Sequence, residues 1–206
     1  MPPLPTSNGS GSFLGSRSFG GSPGQVAGRA CAFASGLASQ GIAYTLKHFP
    51  GLGRAPSSTD DGPVSIDASA AVLRAGYVAY LACASNPKAL VMVSSATYPL
   101  LTGATPAVTS NLTYQRELRI AVPSRTVLTI SDDLQARALS SQPSPARRAI
   151  NAGLDLALYA HTEQASAAAY RALLADLLHG SLSAQRIRTA DQAIQTLKRT
   201  IGSGLP

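Results

Sequence analysis

Three short stretches carry the side chains that could do chemistry. Lys47-His48-Phe49-Pro50-Gly51 follows the apolar run Ile42 to Leu46, setting a fixed cation beside an imidazole ahead of a Pro-Gly turn. Two adjacent donors suit neighbouring hydroxyls of a polar ligand, though a Lys and a His at a strand end are more often solvated or bonded to backbone. Ser131-Asp132-Asp133 ends the apolar run Val127 to Ile130. The first carboxylate can serve there as a nucleophile or electrostatic stabiliser, and the second can cap the helix that follows. Thr59-Asp60-Asp61-Gly62 reads as an Asp-rich turn. Carboxylates on two strand-end loops are what retaining glycoside hydrolysis uses, one as nucleophile and another group as acid/base.

The elements that must position these residues alternate. Residues 1 to 25 are dense in Gly, Pro and Ser and read as a loose lead-in without regular structure, so the folded domain is expected over 26 to 206. Helical spacing runs from Val26 to Ser39, and a strand is expected at Ile42 to Leu46. Asp67 looks like the N-cap of a helix reaching Ala84, and Ala89 to Ser94 reads as a buried strand. A helix around Leu112 to Leu118 precedes a third strand, Thr126 to Ile130. Helical material from Leu134 to Asn151, interrupted at Pro143 and Pro145, precedes a fourth, Asp155 to Tyr159. Two helices, Glu163 to His179 and Ser183 to Ile201, close the chain around Gly180.

Strand, polar loop and helix in this rhythm predict an α/β fold with a parallel sheet, its strand C-termini opening on one face as in a (β/α)8 TIM barrel. About four strands make a partial barrel, since the complete form takes about 250 residues. Four strands also leave two unpaired sheet edges, which favour self-association.

Composition narrows the partners. The chain has 206 residues, 45% hydrophobic and 13% charged, with net charge +7. Its Arg and Lys fall in separate small groups and it has no Trp, so neither a basic groove nor a stacking platform for nucleic acid is encoded. No apolar run is long enough for a membrane span, and no signal peptide opens the chain, so export requires a start upstream of Met1. The compartment stays unassigned. Cys31 and Cys83 lack metal-ligand spacing and read as small buried apolar residues, with a single bridge as the open alternative.

The motifs Ser16-Arg17-Ser18-Phe19-Gly20, Lys47-His48-Phe49-Pro50-Gly51-Leu52-Gly53, Val91-Met92-Val93-Ser94, Ser131-Asp132-Asp133-Leu134 and Ala152-Gly153-Leu154-Asp155 occur in the order seen in glycoside hydrolase family 3. The sequence resembles the bacterial β-N-acetylglucosaminidase branch of that family. This resemblance implies that Asp132 is the covalent nucleophile, that Arg17, Lys47 and His48 hold sugar hydroxyls, and that Asp155 supports the last strand. It implies hydrolysis of a terminal β-linked N-acetylglucosamine or related β-sugar, with a carbohydrate as partner and no metal or organic cofactor.

Two departures from the family pattern stand out. The branch carries an Asp-Ser-His triplet whose His is the acid/base, whereas here Leu52 replaces one motif His and residues 49 to 160 contain none. Asp60 is the nearest substitute, with His161 as an outside candidate. The family's four earlier strands, one bearing a further substrate-binding Asp, have no counterpart, so the 206 residues alone are expected to be inactive. A non-catalytic carbohydrate-binding or scaffold relative that has lost the acid/base is the alternative reading.

Overall fold

The computed structural model describes residues 13–123 and 127–202. Its centre is a parallel sheet of β1 (Tyr44–Phe49), β2 (Ala89–Val93) and β5 (Leu128–Ser131), in that order. A short antiparallel pair, β3 (Thr97–Tyr98) and β4 (Gly103–Pro106), lies beyond the end of β2. The fourth expected strand is present as an extended segment. Leu156 bridges Ile130 in parallel register, accepting from Ser131 N at 3.0 Å and donating to Thr129 O at 3.0 Å. The sheet thus has four parallel segments, an α/β partial barrel of the expected kind.

Helices cover the sheet's outer face. α1 (Pro23–Ser39) begins three residues earlier than expected, inside the stretch read as irregular, because Ser22 caps it and Pro23 is preset for the first turn. A single 3-10 turn, Gly15–Arg17, also lies in the stretch expected to be irregular; residues 1 to 12 fall outside the described chain. The long helix expected after Asp67 is two helices, α2 (Ala70–Ala75) and α3 (Tyr77–Cys83), and its cap is Ser69, whose hydroxyl accepts from Val72 N. α4 (Pro99–Thr102) joins β3 to β4.

The region expected as a helix at Leu112 to Leu118 is a π turn at Thr113–Glu117 running into α5 (Leu118–Ala121). Between β5 and α6 (Pro145–Ala152) only a 3-10 turn, Arg137–Leu139, is helical, so the expected helix from Leu134 is largely loop. α7 (Glu163–Leu178) and α8 (Ala184–Gly202) match their expected spans to within a residue.

Two apolar clusters hold these layers. One joins α1 and α3 to β1 and β2, with Phe49 5.1 Å from Tyr80 and 5.2 Å from Tyr77. The other packs Leu52, Val93, Tyr98, Leu134 and Leu154 at the ends of the strands, under the loops that carry the candidate site. Glu117 is fully buried between α2 and α5. Arg74 grips both of its oxygens at 2.7 and 2.9 Å, while Tyr77 and Arg116 donate to it as well. Burial alone would raise that carboxyl, and the three donors outweigh burial and hold it below the usual carboxylate range. Cys31 and Cys83 are joined in a disulfide, which corrects the reading of both as free buried residues.

Candidate active site

Parallel strands bring their C-terminal ends together, so the motifs that follow them meet at one mouth. β1 runs three residues further than its apolar run suggests: Lys47 and His48 lie on the strand itself, with a register irregularity against β2 between Leu46 and Phe49. The Lys47–His48 and Phe49–Pro50 peptides are both cis. Ser94 N donates to Phe49 O at 2.8 Å and Asp132 N to Val93 O at 3.0 Å, which staples the three strand ends side by side.

Asp132 and His48 are the centre of this mouth. The Nε2 of His48 lies 3.4 Å from Oδ2 of Asp132, and the Asp132 side chain keeps 18% exposure, enough to meet a ligand. Burial, then the charges of Lys47 and Arg17, push His48 down to about 3, so the ring is neutral at ordinary pH. The approach is therefore between a neutral ring and a carboxylate, slightly beyond good hydrogen-bond length, rather than an ion pair. Burial raises the Asp132 carboxyl; the Asp133 N–H at 3.0 Å and the charge of Lys47 pull it back, while Asp60 and Asp133 add to the rise. Nδ1 of His48 is buried without a partner among the described residues.

The other expected residues stand around this pair. Asp60 is exposed on its turn, where the Ser58 hydroxyl donates to it at 3.1 Å, and its charge reaches Asp132. Thr59 is buried and its carbonyl accepts from Ala138 N at 3.0 Å, tying the Asp60 turn to the loop after Asp132. Arg17 is exposed with its guanidinium 5.7 Å from the centre of the Phe13 ring, and it touches the site through its field alone.

Asp133 closes a local turn by accepting from Gln135 N at 3.0 Å, so the helix cap expected of it is a turn cap instead. His161 Nε2 lies 3.5 Å from Asp133 Oδ2, with its side chain 64% exposed at the entry to α7. Asp155 accepts from Thr129 N and Oγ1, both at 2.9 Å, and from Arg186, which ties the fourth segment to β5.

Sequence reasoning missed Tyr98. It is fully buried, donates to Gly51 O at 3.2 Å and stands close enough to Asp132 for that carboxylate to raise its hydroxyl further above the usual range, behind the larger effect of burial. Its hydroxyl thus fixes the turn that ends β1. An aromatic residue among apolar neighbours signals only core, and nothing in its spacing distinguishes it.

The mouth of the parallel α/β sheet thus bears a half-buried carboxylate beside Lys and His, and the comparisons with known proteins identify the family. Residues 6–197 match the model of the glycosyl hydrolase family 3 N terminal domain, and the chain belongs to that family. It is 31% identical over 194 residues to an uncharacterized secreted glycosyl hydrolase of Arthroderma benhamiae, covering 91% of this chain and 55% of that protein. It is also 31% identical over 161 residues to the beta-hexosaminidase LpqI of Mycobacterium bovis, covering 75% of this chain and 42% of that one. A family 3 β-N-acetylglucosaminidase from Paenibacillus sp. superposes with a TM-score of 0.87 at 25% identity, over 100% of this chain and 40% of its own. The chain spans about half the length of the curated relatives it matches.

Proposed function

We propose that this domain supplies the nucleophile side of a retaining β-N-acetylhexosaminidase site. The observation that carries the reading is Asp132 at the end of β5, 3.4 Å from His48 and within the fields of Lys47 and Asp60. Asp132 attacks the anomeric carbon as a carboxylate and forms a glycosyl ester; a proton passes to the leaving oxygen from Asp60, which then activates the water that breaks the ester. Neutral His48 and cationic Lys47 bind ring hydroxyls without forcing a second charge on the nucleophile. The raised Asp132 carboxyl moves the acid limb of activity above the usual aspartate range, since attack needs the ionised form. Open sheet edges support self-association of the chain as a further part of this reading.

The test uses the natural polypeptide that contains these residues. Asp132→Ala is expected to abolish turnover of an aryl β-N-acetylglucosaminide, and a fluoroglycosyl trap to label the peptide holding Asp132. Asp60→Asn should slow substrates with poor leaving groups far more than activated aryl glycosides, because only the former need protonation in the transition state. Equal losses on both would remove Asp60 from the role, and labelling away from Asp132 would remove the nucleophile assignment.

A further inference from the structure

The disulfide sits where it can govern the strand that carries Lys47 and His48. Cys31 lies in α1 and Cys83 is the last residue of α3, with Cα atoms 5.1 Å apart at a sequence separation of 52. The loop they close contains all of β1, the Pro50-Gly51 turn and the Asp60 turn. Cys83 also anchors β1 directly, since its carbonyl accepts from the hydroxyl of Tyr44, the first residue of that strand, at 2.6 Å. β1 has β2 as its single ladder partner among the described residues.

Mostly small side chains, with Leu37 partly buried beside them, make the non-covalent hold on α1. Its buried face is Val26 with Ala27, Ala30, Ala34 and Ala38, and an alanine methyl removes little apolar area from water. Lys88 Nζ adds one bond to Ala38 O at 2.9 Å. The covalent link adds to this packing of α1 on α3, and through the Cys83 carbonyl and the Tyr44 hydroxyl it reaches the edge strand. Cys83 is buried and Cys31 half-buried, so a reductant reaches the bridge from the Cys31 side.

We propose that the Cys31–Cys83 bridge is a redox clasp that keeps β1, and with it Lys47 and His48, in place, and that this domain works in a compartment where disulfides persist. Opening the clasp takes two electrons from a dithiol: the S–S bond breaks, each cysteine takes up one proton, and the dithiol closes to its own disulfide. A reducing cytosol would hold the clasp open, and an oxidising compartment holds it shut.

The experiment reads thiols and amides, so its outcome is independent of the glycosidase reading. Denatured chain isolated from an oxidising compartment is expected to take up no maleimide, and to take up two after dithiothreitol. By hydrogen exchange, peptides covering 44–49 and 52–62 should exchange at least about tenfold faster after reduction while 128–131 changes less than about twofold. Cys31→Ala/Cys83→Ala should reproduce the reduced pattern without reductant; reduced wild-type chain at low temperature gives the same reading if that variant does not fold. Two maleimide adducts before reduction, unchanged exchange over 44–49, or loss of protection spread equally to 128–131 would each overturn the clasp.

Discussion

At the scale of single residues, the site depends on keeping one imidazole neutral beside a carboxylate. His48 has an ordinary value of 6.5 that the fold pushes down to about 3. Below pH 6.5 the unfolded chain binds a proton that the folded chain refuses, so stability is lost as pH falls from about 6.5 toward 3. Between pH 7 and pH 5 this one group should cost the fold about 2 kcal/mol. Urea melts at the two pH values check it: His48→Gln should flatten the difference relative to wild type, and an unchanged difference would show that other groups carry the acid sensitivity. In the proposed reaction the same neutrality matters: a protonated His48 would form an ion pair with Asp132 and blunt the carboxylate assigned as nucleophile there.

At the scale of elements, the fourth strand segment reaches β5 only because α6 ends on a glycine. Gly153 has φ +139°, and a Cβ there would stand 2.6 Å from both Cβ and Cγ of Tyr114, a buried ring whose hydroxyl donates to Val108 O. Gly153→Ala therefore meets both backbone strain and a clash with a side chain that cannot retreat. A loss of about 3 kcal/mol or more is expected. Gly28, inside α1, is the contrasting case: a Cβ there meets nothing within 4 Å. Gly28→Ala should gain about 0.5 to 1 kcal/mol from helix propensity alone. Denaturant melts of the two variants should shift in opposite directions, and a stable Gly153→Ala would mean that Tyr114 can give way.

At the scale of the whole molecule, apolar surface and open edges remain uncovered among the described residues. β1 at one side of the sheet and the segment around Leu156 at the other each have a ladder partner on one flank. No residue of α7 is buried, and Tyr170, Leu174 and Leu178, four apart on one side of it, are exposed. An apolar stripe beside unpaired strand edges favours association over a solvated monomer. The 21.1 kDa chain should therefore sediment at twice its mass or more at micromolar concentration. Net charge +7 opposes this at low ionic strength, so association should strengthen with salt. A monomer at all salt concentrations would show that the edges are protected.

The amino-acid sequence by itself determined the features that are local. α7 and α8 were legible to within a residue because Gly180 separates two long helical runs, a stop signal that neighbours rarely override. β2 was legible because an unbroken apolar run bounded by polar residues suits a strand buried on both faces. The meeting of Asp132, Lys47 and His48 was legible as well, since successive parallel strands must deliver their ends to one side of the sheet.

Tertiary structure alone decided the rest. Lys47 and His48 look like loop residues, and they belong to β1 because β2 on one flank and Tyr77 and Tyr80 behind Phe49 hold the chain extended. Asp67 and Ser69 are both acceptable caps, and the choice fell to Ser69 after residues 64 to 66 paired with Thr97. Cys31 and Cys83 pair across 52 residues, and Tyr98 reaches Gly51 across 47. Contacts of that span are set by how helices stack on the sheet, which no window of sequence contains.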